Sequence, residues 1–374
     1  MRIIMTGGGT GGHVNPALQI AREIRRQIPD AEISFVGTRR GIESTLVPKA
    51  GFEIDTVEVR GFQRSLDPKA LKNNLTAAKL AVTSVRDAKR IIRERKPDVV
   101  VGTGGYVSWP TVKAASQCGV PCLIHEQNTY PGVTTRKLAK VASTICISFD
   151  SSRKYFTEKE QEKLILTGNP VSTERIDRAD ARRELGLTDD EPYILSFGGS
   201  MGARRVNELC FELMEAYCVP RGIRHDHAVG RTEWEKFSAL AREKGLDKQE
   251  NLQISEYFFD MARRQAAADV IICRAGAITL AELALRGKAA IYIPSPYVAE
   301  DHQYKNARLL ADAGAGIVFR EEELTEDRLQ GAVDDLLKNP NKRKRIEETV
   351  RNFAMEDATA RIAGEVIRLY EERG

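Results

Sequence analysis

No run in this 374-residue chain approaches the roughly 18–20 apolar residues that a membrane-spanning helix needs. The N-terminus enters a strand and a glycine loop directly, without a basic stretch followed by an apolar one. A secretory leader is therefore not expected, and the chain is read as remaining in the cytosol. Cysteine is sparse: six are scattered at positions 118, 122, 146, 210, 218 and 273, mostly within apolar runs, and Cys118 and Cys122 do not form a CxxC redox pair. Reduced core thiols are the expectation. No spacing reads as a metal site, and His225-Asp226-His227 reads as surface or loop polarity at the end of a strand.

The composition is 42% hydrophobic and 29% charged, as in an ordinary soluble globular protein. At roughly 100–200 residues per domain, the length suggests two domains. The net charge of +4 conceals an asymmetry. Residues 60–96 carry eleven Lys/Arg against three Asp/Glu, on an otherwise mildly acidic chain. That concentration points to a specific anionic surface and not to general nucleic-acid binding. Leu71, Leu75, Leu80, Val82 and Val85 interleave with these cations. Such a stretch either rests on an anionic membrane or is a solvated helix with its apolar face in the core. Trp109 is read as an exposed apolar neighbour of it.

Short β-branched runs at 2–5, 32–36, 98–101, 121–124 and 144–147, then at 193–197, 252–254, 269–273 and 289–293, alternate with helical stretches such as 15–28, 79–95, 205–217 and 278–286. This punctuation predicts parallel sheets with helices on both faces. The pattern restarts, because "RIIMTGGGTGGH" and "YILSFGGSMGAR" are both strand, glycine turn and helix. Two doubly wound domains in tandem follow, joined near "LTGNPV", 166–171. The final stretch, 358–373, reads as an amphipathic helix able to return to the first domain.

A glycine-rich turn between strand and helix lets backbone N–H groups approach an anion, with the helix dipole adding favourable potential. Gly7, Gly9 and Gly12 fit GxGxxG, but the second strand ends in Gly37 and Thr38, where a dinucleotide site needs Asp or Glu, and the loop lacks Gly-Lys-Ser/Thr. The loop's bareness is read as room for a substrate. His13 at the helix start is disfavoured as imidazolium, and a neutral ring can accept a proton. "VGTGGYVSWP" repeats the glycine logic, and His125 to Asn128 lie at a strand's carboxyl end, where open α/β sheets bind ligands. In the second half, Ser200 and bare amides suit a phosphate, and Glu282 suits a ribose diol, although Thr279-Leu-Ala-Glu282 also reads as a capping box. Asp301, His302 and Gln303 suit sugar hydroxyls.

Taken together, "GGGTGGHVNPA", "GTGGYVSWP", "HEQN", "GNPV", "GGSMGAR", "CRAGAITLAEL" and "EDHQYKNA", in this order, resemble the glycosyltransferase family 28 enzymes of peptidoglycan synthesis from end to end. The resemblance implies an α/β GT-B fold, two Rossmann-like doubly wound domains facing a central cleft. It implies residues 1–167 as a lipid-acceptor and membrane-facing domain, 168–355 as a UDP-GlcNAc domain and 356–374 as a returning helix. The implied reaction is inverting transfer of GlcNAc from UDP-GlcNAc to the MurNAc 4-hydroxyl of undecaprenyl-linked lipid I, giving lipid II. His13 would be the general base. Thr10, Gly11, Gly12, Asn128, Ser200, Phe258, Ala277, Ile278, Thr279, Glu282, His302 and Gln303 would bind substrate. Leu71, Leu75, Lys79, Val82 and Trp109 would face the membrane. No cofactor, metal or nucleic acid is implied, consistent with the missing DxD-type carboxylate pair. The cytoplasmic membrane face is the implied location, with other cell-wall synthesis proteins as partners. Met201 and Phe258 stand where the family commonly has glutamine and isoleucine, and Ser172 stands where some relatives carry arginine. The alternatives are a GT-B transferase with another lipid acceptor, a sugar-nucleotide epimerase, an NAD-binding oxidoreductase, or a non-catalytic membrane-surface binder.

Overall fold

The computed structural model describes residues 1–59 and 68–373; the side chains of 68–79, 81 and 82 lie outside the described residues. The expected membrane contacts Leu71, Leu75, Lys79 and Val82 are therefore undescribed beyond their place on the helix Pro68–Arg95. Among the described residues, no helix is long and apolar enough to cross a membrane.

The chain forms two compact units, one of Met1–Ser172 with Met355–Gly374 and the other of Thr173–Ala354. The first carries a seven-stranded sheet of β1 (Arg2–Thr6), β2 (Glu32–Gly37), β3 (Glu53–Thr56), β4 (Val99–Gly102), β5 (Cys122–Glu126), β6 (Thr144–Ile147) and β7 (Leu164–Leu166). Their spatial order is β3-β2-β1-β4-β5-β6-β7, all parallel. Successive strand residues face opposite sides. Ile3 and Met5 enter one apolar cluster and Ile4 the other, as do Val99 and Val101 against Val100. A parallel sheet covered on both faces needs such unbroken apolar strands. The C-terminal helix Ala358–Glu371 completes one of these clusters, with Ile362, Ala363, Val366 and Leu369 packed beside Ile20 and Ile24.

The second unit holds β8 (Tyr193–Phe197), β9 (Arg224–Ala228), β10 (Leu252–Ser255), β11 (Val270–Cys273), β12 (Ala290–Tyr292) and β13 (Ile317–Val318), ordered β10-β9-β8-β11-β12-β13, again parallel.

Two expectations are corrected here. Trp109 is not exposed. It sits in the first turn of the helix Ser108–Gln117, half-buried against the first unit's core. Nor is His225-Asp226-His227 surface polarity: all three residues are buried in β9. Both imidazoles project from one face of β9, and the adjacent strand supplies Ser196, whose Oγ lies 2.7 Å from His225 Nε2 and 2.6 Å from His227 Nδ1. Cys218 Sγ approaches His225 Nδ1 at 3.5 Å, and His227 Nε2 lies 3.1 Å from Asn207 Oδ1. Cys210 Sγ joins both imidazoles in a group whose donor atoms lie within 4.8 Å of one another. The contacts with Ser196, Cys218 and Asn207 engage all four imidazole nitrogens, so two neutral rings are satisfied there without an ion.

Burial pushes the pKa of His227 down to about 3, that of His125 down to about 4, and that of His225 well below its ordinary value. The unfolded chain binds protons below about pH 6.5 that the folded chain refuses, so stability is complete above that pH and declines as the pH falls toward the depressed values. The unfolding free energy from urea titrations is expected to fall from pH 7 to pH 5, with a slope that steepens toward about 1.4 kcal/mol per pH unit for each histidine. A flat profile would mean that these rings take up protons in the folded state as readily as in the unfolded chain.

Candidate active site

In each sheet the order of strands reverses at one place, between β1 and β4 and between β8 and β11. Ligands of open parallel sheets sit beyond the carboxyl ends of strands at such a switch point. Residues 7–10 and 103–106 lie there in the first unit, and residues 198–203 and 274–276 in the second.

The glycines of the first loop serve the protein's own packing before any ligand. A Cβ on Gly7 would lie 2.0 Å from Thr103 Oγ1, and one on Gly8 2.7 Å from the carboxyl carbon of Glu43. The expectation that the loop's bareness is room for substrate is corrected at these two positions. Gly11 and Gly12 differ, since a Cβ there would meet nothing closer than 3.7 and 3.6 Å. The buried Glu43 carboxylate accepts hydrogen bonds from Gly9 N (3.1 Å), Thr38 N (3.0 Å) and Thr38 Oγ1 (2.6 Å), tying the loop to the turn after β2. Thr10, exposed, precedes the helix Gly11–Gln27, and its side chain makes no capping bond. His13 N donates to Thr10 O at 3.1 Å, and the amides of Gly11 and Gly12 come before the first carbonyl that could accept them within the helix.

His13 stands in this first turn. Its Nδ1 lies 3.1 Å from Thr103 O and 3.2 Å from Gln127 Oε1, and the ring edge packs on Gly104 and Gly105. Burial holds its pKa below the ordinary value, opposed by the charge of Glu126 and by hydrogen bonds to Gln127 and Thr103. Asn128 is half-buried, and its backbone and side-chain N–H groups donate to Glu126 Oε1 at 3.0 and 3.1 Å. Gly132 N donates to Glu126 Oε2 at 2.9 Å.

In the second unit a cavity of about 890 Å³ opens between the two loops. Of the expected residues it gathers Thr279 and Gln303, together with Gly198, Gly199 and Gly202. Gln303 Oε1 accepts from Ser295 N at 2.9 Å. Ser200 is exposed on the loop, its carbonyl accepting from Arg231 N, and Met201 beside it is 55% exposed. Ala277 and Ile278 open the helix Ala277–Arg286. The capping box read at Thr279 and Glu282 is corrected. The helix begins two residues before Thr279, with Gly276 at its cap and no side-chain capping bond. Glu282 is instead half-buried one turn on, accepting from Gln265 Nε2 at 3.4 Å, and burial raises its pKa. Phe258 is core, 4% exposed, with the Arg264 guanidinium 3.9 Å from its ring centroid. His302 Nδ1 faces Ala299 O at 2.8 Å, just after Glu300 and Asp301, which both hold left-handed backbone (φ 58° and 52°). Such strain in non-glycine residues persists only where surrounding structure enforces it.

Sequence reasoning did not single out Arg274, although it lies inside a quoted motif. Its Nη2 pairs with Glu321 at 2.5 Å, and its Nη1 donates to Ile293 O and Pro294 O, on the cavity wall. Glu43 and Thr103 were likewise not singled out, because their partners in the first loop are far away in sequence.

The N-terminal domain of glycosyltransferase family 28 matches residues 3–147, and the C-terminal domain of that family matches residues 193–362. A protein of Acetivibrio thermocellus named UDP-N-acetylglucosamine--N-acetylmuramyl-(pentapeptide) pyrophosphoryl-undecaprenol N-acetylglucosamine transferase is 42% identical, over 97% of this chain and 96% of its own. One of the same name from Clostridioides difficile is 39% identical, over 99% of this chain and 89% of its own. The crystal structure of MurG from Acinetobacter baumannii superposes with a TM-score of 0.74 at 30% identity, covering 98% of this chain and 99% of that one. A UDP-GlcNAc 2-epimerase from Neisseria meningitidis bound to UDP-GlcNAc reaches 0.67 at 12% identity, over 98% and 100%, which is a likeness of fold alone. The chain belongs to glycosyltransferase family 28, among the N-acetylglucosamine transferases just named, and is an α/β glycosyltransferase of the GT-B fold.

Proposed function

We propose that this protein transfers GlcNAc, with inversion, from UDP-GlcNAc to the 4-hydroxyl of MurNAc in undecaprenyl-diphospho-MurNAc-pentapeptide, converting lipid I to lipid II. The observation that carries this reading is 42% identity, from end to end, with a transferase named for that donor and acceptor. The second unit binds the donor. Backbone amides around Ser200 and the N-terminus of the helix Arg204–Leu213 take the diphosphate. Glu282 takes the ribose, Ala277, Ile278 and Thr279 line the nucleotide, Phe258 backs the uracil from the core, and His302 and Gln303 meet the GlcNAc hydroxyls. From the first unit come the base His13 and the contacts of Thr10, Gly11, Gly12 and Asn128.

In the transfer, the acceptor oxygen bonds to the anomeric carbon as the bond from that carbon to the diphosphate oxygen breaks. His13 Nε2 takes the hydroxyl proton, and UDP leaves with the bonding pair. Amides and positive charge aimed at the departing diphosphate stabilise the transition state. The acceptor is lipid-linked, so the protein works as a peripheral protein at the cytoplasmic membrane face, and the basic stretch 60–96 faces the anionic surface.

The test is UDP release from UDP-GlcNAc with and without a lipid I analogue. Release that requires the analogue, with a disaccharide product, supports the reading. Release without it turns the assignment toward an epimerase or hydrolase, and no release with the analogue turns it toward another lipid acceptor.

A further inference from the structure

Behind His13, the direction of each hydrogen bond is set in turn from a backbone carbonyl. Gly168 O lies 2.9 Å from His125 Nε2. A carbonyl only accepts, so that nitrogen carries hydrogen and Nδ1 of the neutral ring keeps a lone pair. Gln127 Nε2 stands 3.0 Å from this Nδ1 and 2.7 Å from Thr103 O. Both are acceptors, which orients the amide with its nitrogen toward them and Oε1 toward His13 Nδ1, 3.2 Å away. His13 Nδ1 thus faces two oxygens, Gln127 Oε1 and Thr103 O, and must carry hydrogen. The lone pair of the neutral ring is then on Nε2, which has no hydrogen-bond partner among the described residues. Gln127 is 3% exposed, so water does not compete for its amide.

We propose that Gln127 is a positioning residue for the transfer, holding His13 as the Nδ1–H tautomer with Nε2 as the basic atom. The proposal rests on the reading of His13 as the base. The choice of an amide has a consequence that a carboxylate would not share. Oε1 is a dipole end, strong enough to orient the ring and to stabilise the imidazolium formed during transfer. It is too weak to charge the ring beforehand. A carboxylate in that place would favour the imidazolium before substrate arrives. The ionisable groups around the ring are Glu126 and His125 on β5, with Tyr106 following Gly105 and Glu43 behind the Gly7–Gly9 loop. Glu126 is the one that favours the charged ring, and burial opposes it.

The experiment compares wild type, Gln127→Glu, Gln127→Met and His13→Gln. It measures the pH dependence of kcat/KM for the lipid I analogue at saturating UDP-GlcNAc, with UDP-GlcNAc affinity by calorimetry as a control. Gln127→Glu is expected to move the acidic limb upward by about one pH unit or more, with unchanged donor affinity. Gln127→Met is expected to lower kcat by roughly tenfold or more, again without changing donor affinity. An acidic limb that stays in place in Gln127→Glu overturns the proposal. The tautomer is read independently, without any need for the variants at 127 to fold, from imidazole ¹⁵N shifts of the wild-type protein, with the His13 signals identified by their loss in His13→Gln. A protonated Nδ1 and an unprotonated Nε2 support the proposal, and the reverse overturns it. If His13→Gln transfers GlcNAc at the wild-type rate, the base reading itself has failed, which is a different result from an unmoved limb in Gln127→Glu.

Discussion

Replacing His13 by alanine is expected to lower GlcNAc transfer by about 10²–10⁴-fold, the usual contribution of a positioned general base, while calorimetric UDP-GlcNAc affinity stays within twofold. The separation follows from the architecture. His13 belongs to the first unit and contacts Thr103 and Gln127, whereas Ser200, Phe258, Glu282 and Gln303, proposed to hold UDP-GlcNAc, belong to the second. Substitution should leave the first unit folded, because the ring is only half-buried. In the wild-type enzyme, activity should decline on acidification only below the ordinary histidine range, since burial lowers the pKa of the ring. Near-normal turnover of His13→Ala would remove it as the base and direct attention to Glu126, whose carboxylate is nearby but already accepts from Asn128 and Gly132.

Glu282→Ala is expected to weaken UDP-GlcNAc binding by about 1.5–3 kcal/mol, the range for hydrogen bonds made with a charged group, or roughly 10- to 150-fold in Kd at 25 °C. The second unit's melting temperature should barely change, because Gly276 caps the helix Ala277–Arg286 and Glu282 does no capping. The carboxylate lies on the second turn, and Arg286 and Gln265 favour its charged form against the effect of burial. An amide of the same shape, Glu282→Gln, should retain part of the affinity, since it still offers one acceptor. Measuring Kd and melting temperature on the same samples separates a ligand contact from a structural one. Lost affinity with unchanged melting supports the ribose role, and unchanged affinity eliminates it.

Several features were legible from local pattern. The strands at 2–5, 193–197 and 269–273 are short, mostly apolar runs, and each is followed by a turn containing glycine, so the sites beyond β1, β8 and β11 could be read directly. The short strands β3, β7 and β13 were not read. They have two to four residues, and their identity as strands comes from pairing with a neighbour already in place. His225 and His227 were misread for a related reason. An alternating polar run resembles a solvated edge unless the adjacent strand provides a hydroxyl between the two rings, and Ser196 is about thirty residues away.

The sequence by itself determined the alternation of strand and helix, the restart of the pattern at the second unit, the positions of the glycine loops and the family whose motifs it carries. These are properties of short windows, where side-chain period, β-branching and glycine act on their own backbone. Only the tertiary structure decided which glycines are crowded by the protein's own atoms and which have open space beside them, because the space beside Gly7 and Gly8 belongs to Thr103 and Glu43. It also decided the tautomer of His13, which depends on a carbonyl at Gly168 acting through His125 and Gln127. A polar atom's role is set by the donor or acceptor it meets. In a parallel sheet that partner arrives from a neighbouring strand, dozens of residues away along the chain.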